Sequence, residues 1–360
     1  MDDDAGLAVQ ERAGRWFLSG PAAGGLELVN DFLGHLADRG YSPRTVRAYA
    51  FDLLGFCRWL RGEGLAVDAV TTDMLLRYLA SCREAVVPGR PGGNVYSIRD
   101  GRNSGYAPAT INRRLAAISA MFAFACMRDP ARVNPVPRGR QARTAARGER
   151  SGLLGHLARP KSRSALRVRE PRRLPRGLEP REAAALVGSL RTWRDRAIAG
   201  LMLYSGLRSA EVLGLEVRDA DIGRRWVRVI GKGDKERRVP VDAEVACIVQ
   251  AYLLAERPET ASARLFVVAK GPHRGQPLTP AGLRTIFRYH RTLTGVSAGH
   301  PHALRHTFGT ALAEAGVDLA VMQALWGHDH VDSTAAYIHL APVHIRKEFD
   351  AARARQRSRA

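Results

Sequence analysis

The chain has 360 residues, 45% of them hydrophobic, enough to bury the cores of about two domains at ~150 residues each, which excludes a disordered polymer. Fifty-six Lys and Arg against 35 Asp and Glu leave a formal charge of +21, self-repulsive unless a polyanion normally sits on the surface. Nucleic acid is the obvious polyanion; an Arg-rich codon bias or a ribosomal structural role would account for charge alone equally well.

The first 24 residues read as an N-terminal extension, followed over 25–135 by an all-helical domain. Its first helix runs from Leu26 to Asp38 and closes at Gly40; Ser42 and Pro43 then supply a cap and a first-turn proline for the next. In that second helix Val46, Tyr49, Leu53, Phe56 and Leu60 recur at helical steps, leaving Arg44, Arg47, Asp52 and Arg58 for water or phosphate. A third helix begins near Thr72. A fourth spans about Pro108 to Met127, with Arg113 and Arg114 near its start, and a Gly/Pro/Asn-rich loop over 87–106 separates the two. Residues 136–178 carry 13 basic residues against two acidic ones, among scattered Pro, Gly and Ser, and read as a basic linker able to track phosphates.

From residue 179 to 345 the pattern is mixed but mostly helical. Helices are expected at 180–190 and 193–205, a β-hairpin from Trp226–Ile230 and Arg237–Val241, and a possible strand at Leu265–Val268. Further helices begin near Thr279, Pro301, Asp318, Ser333 and Pro342, and 346–360 is a basic tail. The fold class is therefore mainly α with a small β-hairpin or sheet.

Cleaving a phosphodiester requires a nucleophile, positive charge for the non-bridging oxygens and an acid for the leaving oxygen. The folded regions contain no HExxH, no GxxxxGK[ST] and no paired acidic motif, so protein cations are expected to supply the charge, with no metal and no cofactor. In YSGLRSAEVLGL, Arg208 begins a helix after the Gly206 break, where a guanidinium can hold two phosphate oxygens or simply sit exposed. In RVIGKGDKERRVPV, Lys232 projects from a glycine-flanked tip, as a general acid or as an ordinary solvated turn. In HPHALRHTFGTALAEAG, His302, Arg305 and His306 share a helical face; zinc ligation by His300, His302 and His306 lacks a completing Cys or Glu, and His306 reads as a packing residue. In ALWGHDHVDSTAAYIHL, His328 precedes Tyr337 by nine residues, and tyrosine is a legitimate covalent catalyst.

The order GLR, GKG, HxLRH, GH, Y resembles the tyrosine recombinase, or phage integrase, family over residues 25 to 345. The resemblance implies a helical, SAM-like core-binding domain ahead of a catalytic domain. It makes Tyr337 the nucleophile, Arg208 and Arg305 the phosphate-binding pair, Lys232 the proton donor, and His302 and His328 the remaining catalytic groups. Trp326 stands where Leu is usual before GH. The implied function is site-specific DNA recombination through a 3′-phosphotyrosyl intermediate without metal or ATP, in integration, transposition or dimer resolution. A type IB topoisomerase and a catalytically silent DNA-binding regulator are the alternatives. Double-stranded DNA carrying recombination sites is the implied partner, with Arg44, Arg47, Arg113 and Arg114 as candidate contacts. A homotetramer is implied on synapsed DNA and a monomer when free. The acidic opening MDDDAGLAVQ and the absence of a ~20-residue apolar run lead us to expect a cytoplasmic, nucleoid-associated protein with no membrane association. The scattered Cys57, Cys82, Cys126 and Cys247 are expected to be reduced and mostly buried.

Overall fold

The computed structural model describes residues 6–20, 25–85, 105–137, 164–170, 177–231 and 235–327. The chain divides into two compact units, one up to Pro171 and the other from Arg172. Both are mainly helical, as expected.

In the first unit, β1 (Ala8–Arg12) and β2 (Arg15–Ser19) form a hairpin ahead of α1 (Glu27–Asp38), α2 (Pro43–Gly62), α3 (Thr72–Glu84) and α4 (Pro108–Arg128). Ser42 caps α2 by accepting the Thr45 N–H at 3.2 Å, and Pro43 occupies the first turn where its missing N–H costs nothing. Val46, Leu53, Phe56 and Leu60 turn inward together with Phe32, Leu33, Leu75, Ile111 and Ile118. The hairpin was not expected. Its two-residue turn places Ala13 at φ 51° and Gly14 at φ 75°, and Leu7 and Leu18 close over the core. Asn30 of α1 acts as a surrogate strand partner: its side chain accepts from Leu18 N at 2.8 Å and donates to Leu18 O at 3.0 Å. Leu166 and Val168, from the stretch read as linker, also pack on this core, and the Asn112 side chain bonds both N (2.9 Å) and O (3.0 Å) of Val168.

The second unit is built around α6 (Trp193–Tyr204), buried on nearly every side from Ala197 to Leu203. Around it lie α5 (Pro180–Ser189), α7 (Ser209–Gly214), α8 (Ala243–Ala251), α9 (Pro280–Thr294), α10 (Pro301–Glu314) and α11 (Leu319–Trp326). A three-stranded antiparallel sheet, in the order β3 (Ala220–Asp221), β4 (Trp226–Ile230), β5 (Glu236–Pro240), buries Val227, Val229 and Val239 on one face and turns Arg228 and Arg238 to the other. Leu265–Val268 forms no strand. It makes only an isolated antiparallel bridge, Val267 with Pro277, in which Val268 N–H donates to the Gln276 carbonyl and Gly275 and Leu278 N–H donate to the Val268 and Phe266 carbonyls, while Leu265 N–H donates to the Leu215 carbonyl. The helices expected near Ser333 and Pro342 lie outside the described residues. All four cysteines are free; Cys57 and Cys82 are buried, Cys126 is half-buried, and Cys247 is exposed on α8 rather than enclosed.

Candidate functional site

Helix α6 delivers the chain to the site through Gly206, whose φ of +65° places it in the left-handed region. A Cβ at Gly206 would lie 2.4 Å from Cδ1 of Phe308 and 3.0 Å from Nε1 of Trp326. Glycine is thus required both for the turn and for the approach of α10 and α11. Two residues later Arg208 opens α7, with its backbone N–H donating to Oε2 of Glu211 at 2.8 Å.

Arg208 and Arg305, 97 positions apart, converge on one atom: Nη1 of Arg208 and Nη2 of Arg305 donate to the carbonyl oxygen of Trp326 at 3.0 and 3.2 Å. That carbonyl belongs to the last residue of α11, where helix geometry leaves acceptors unused and the dipole is negative. Arg305 is 5% exposed; it also donates to the Gly206 carbonyl and lies 5.5 Å from the centroid of the Trp326 indole, a cation–π contact. The Trp326 ring is fully buried, with Phe308 at 6.4 Å between ring centroids. The large ring in place of Leu therefore fills the space beneath Gly206 and beside Arg305.

Glu211 balances this positive cluster. Its carboxylate receives Nη1 of Arg208 at 2.8 Å and both terminal nitrogens of Arg237 at 3.0 and 2.9 Å, and Nη1 of Arg305 lies at 3.8 Å. Burial works against the charged carboxylate, but the hydrogen bonds from Arg237 and Arg208 outweigh it and hold its pKa below the ordinary value. Arg208 remains about a third exposed, and among the described residues its Nε and Nη2 contact no protein acceptor. One edge of the guanidinium is anchored while the other stays available to a bidentate anion.

The histidines of α10 separate. His302 is exposed, whereas His306 is half-buried, with 6.4 Å between the ring centroids. Burial, followed by the charges of His302, Arg305 and His300, lowers the His306 pKa to about 4. His300 instead caps α10, its Nδ1 accepting the Ala303 N–H at 3.1 Å. Among the described residues no cluster of three or more His, Cys, Asp or Glu could hold a metal ion. Lys232, His328 and Tyr337 lie outside the described residues.

In the first unit, Arg44 and Arg113 line a cavity of about 350 Å³ with Thr45, Ala48, Tyr49 and Asp52. Arg113 is half-exposed and paired with the buried Asp52 carboxylate, whose pKa burial raises to about 6 despite Arg113 and Arg114. Arg47 is exposed, near the faces of Trp16 and Phe51 at 5.5 and 5.0 Å. Arg114 is largely enclosed: its guanidinium sits 3.8 Å over the Tyr106 ring and reaches the Tyr78 hydroxyl at 3.5 Å.

The model of the phage integrase family matches residues 176–344, and that of the phage integrase N-terminal SAM-like domain matches 29–90. A tyrosine recombinase XerC of Roseiflexus castenholzii is 32% identical over 328 residues, covering 87% of this chain and 89% of its own. This chain belongs to the phage integrase family. It is a tyrosine recombinase, an enzyme of DNA strand exchange. The XerC of Mycobacterium leprae is 31% identical over 344 residues, covering 92% of this chain and all of its own. In fold, the recombinase resembles the XerH site-specific recombinase in its post-cleavage complex with difH (TM-score 0.60, 18% identity, 90% of this chain and 84% of that one). It also resembles the Tn1549 transposon integrase bound to transposon right-end DNA (TM-score 0.62, 18% identity, 89% and 98%).

Glu211, Arg237 and the Trp326 carbonyl were not singled out from the sequence. Glu211, three residues after Arg208, stands at the spacing of a capping box, a signal that could have found it. For Arg237 the signal was strand alternation, which puts it on the inward face with Val239 and Val241 while its neighbour Arg238 faces outward.

Proposed function

We propose that this recombinase opens a DNA phosphodiester with the Tyr337 hydroxyl, forming a bond from the tyrosine oxygen to phosphorus and breaking the bond from phosphorus to O5′. The products are a 3′-phosphotyrosyl link and a 5′-hydroxyl, with Lys232 donating the proton to the leaving oxygen. His302 handles the tyrosine proton, His328 supports the phosphate, and Arg208 and Arg305 stabilise charge on the non-bridging oxygens. Attack by the 5′-hydroxyl of a second strand reverses the step without ATP. The observation that carries this reading is the pair of guanidiniums bound to one carbonyl at the end of α11, immediately ahead of His328, with the outer edge of Arg208 clear among the described residues. On DNA the recombinase acts as a homotetramer on two synapsed sites and is monomeric when free. In the first unit, Arg44, Arg47 and Arg113 contact DNA, and Arg114 supports them from within.

The test is incubation of the protein, and of Tyr337→Phe, with nicked duplexes from the flanks of its own gene in EDTA, followed by denaturing gels. A covalent adduct that Tyr337→Phe abolishes is expected. DNA bound without an adduct on any flank would instead identify a silent DNA-binding relative.

A further inference from the structure

Arg237 stands on β5, opposite Val229 of β4 in the antiparallel hairpin. Its side chain is 12% exposed, and its guanidinium plane lies bidentate against Glu211 while Nε donates to the Leu325 carbonyl at 2.9 Å. Room for this fork depends on Gly327, where a Cβ would come within 3.1 Å of Nη1 and 3.2 Å of Cδ of Arg237. Three segments distant in sequence therefore meet on one side chain: the hairpin, the first turn of α7 and the last turn of α11.

The charges explain why such a residue is needed. Glu211 is a buried anion among guanidiniums, and a buried carboxylate that loses a partner takes compensation from whatever cation remains within reach. Those cations are Arg208 and Arg305, at 2.8 and 3.8 Å. With Arg237 bound to both carboxylate oxygens, Arg208 spends only one guanidinium nitrogen there, beside its backbone N–H.

We propose that Arg237 is a positioning residue for strand cleavage: it satisfies Glu211 and fixes the Leu325–Gly327 turn, so that Arg208 and Arg305 are held in place for the phosphate. It acts through Glu211 and α11, not by touching DNA. This inference rests on the phosphate-binding roles of Arg208 and Arg305 given above. Lysine cannot substitute, because a point charge makes neither the paired contact nor the third bond to Leu325.

The experiment measures DNA affinity and single-turnover adduct formation for the full chain, on whichever nicked flank duplex the wild type cleaves. The variants are Arg237→Lys, Arg237→Met and the double variant Arg237→Met with Glu211→Gln. Arg237→Lys is expected to bind DNA within about threefold of wild type and to form adduct about 100-fold more slowly, the split expected when alignment of catalytic groups is lost and binding is not. Arg237→Met is expected to be slower still, and the double variant at least about tenfold faster than Arg237→Met, because the unpaired carboxylate has gone. If Arg237→Met does not fold, Arg237→Lys decides alone. Adduct formation by Arg237→Lys within threefold of wild type overturns the inference, as does a loss of rate matched by an equal loss of affinity. A wild type that binds every flank duplex and forms no adduct overturns the catalytic reading instead, and this inference falls with it.

Discussion

Replacing Gly206 by alanine tests the construction of the site at its tightest point. The left-handed φ of +65° costs an L-residue roughly 1–2 kcal/mol. The new Cβ would stand 2.4 and 2.6 Å from two ring carbons of Phe308, so the ring or the α6–α7 turn must give way, an overpacking cost of typically about 1–3 kcal/mol. Together these predict a loss of about 2–5 kcal/mol, confined to the second unit. The Gly206 carbonyl accepts from Arg305, so a shift of the turn also displaces that guanidinium and adduct formation should fall with stability. Gly188, near the end of α5, is the control: a Cβ there meets nothing within 4 Å, and Gly188→Ala should be neutral or stabilising by up to about 1 kcal/mol. Hydrogen exchange along a urea series, read by mass spectrometry on peptides from 193–214 and 301–327, reports the second unit separately from the first. A Gly206→Ala protein within about 0.5 kcal/mol of wild type in those peptides, and cleaving normally, would refute the reasoning.

Two further outcomes follow from the same geometry. The units should respond oppositely to pH. The folded pKa of Asp52, about 6, exceeds the ordinary carboxylate value, so Asp52 contributes stability to the first unit at about pH 4 that is lost as pH rises through 6. The folded pKa of His306, about 4, lies below the ordinary imidazole value, so its contribution to the second unit is complete above about pH 6.5 and is lost as pH falls through 4. Asp52→Asn and His306→Gln should each flatten the slope of their own unit in exchange measurements corrected for intrinsic rates; slopes that neither substitution changes would count against both assignments. Separately, Asn30→Ala removes both bonds to Leu18 and leaves that backbone pair half-buried and unmatched, at a cost of about 1–3 kcal/mol. Limited proteolysis should then cut within 8–19 well before the helices, and equal resistance in both proteins would show that Leu7 and Leu18 hold the hairpin unaided.

What was legible in the sequence is what side-chain chemistry announces. Ser42–Pro43, Thr279–Pro280 and Asp318 mark helix starts because a capping oxygen or a fixed φ leaves a local signature, and the inward side of α2 is readable from its spacing. The hairpin over 8–19 was not, because its turn uses Ala13 where Asn, Asp or Gly would have announced a positive φ, and its anchor is an asparagine in another element. Leu265–Val268 misled for the opposite reason: a run of apolar residues records burial, and burial here comes without a continuous strand partner. Arg208 and Arg305 were found as candidates because each sits in a motif. The oxygen that gathers them belongs to the backbone, and an acceptor every residue possesses cannot be read from residue identity.

The end of α11 also explains why arginine rather than lysine suits these positions. The last carbonyls of a helix lack intrahelical partners and sit at its negative pole, and those of Leu325 and Trp326 receive Arg237, Arg208 and Arg305. Each guanidinium is a planar fork with five N–H groups, so one edge can be committed to protein while another meets an anion; an ammonium bound the same way would have less left to offer and no fixed plane. In the proposed mechanism, positioning these cations before DNA arrives would remove reorganisation from the moment of reaction, when charge builds on the non-bridging oxygens. Because Arg208 and Arg305 share the Trp326 carbonyl, they are positioned together. A displacement of α11 moves both at once, so the packing of Trp326 against Phe308, and the absence of a side chain at Gly206 and Gly327, bear on the proposed phosphate-binding geometry as much as on the stability of the fold.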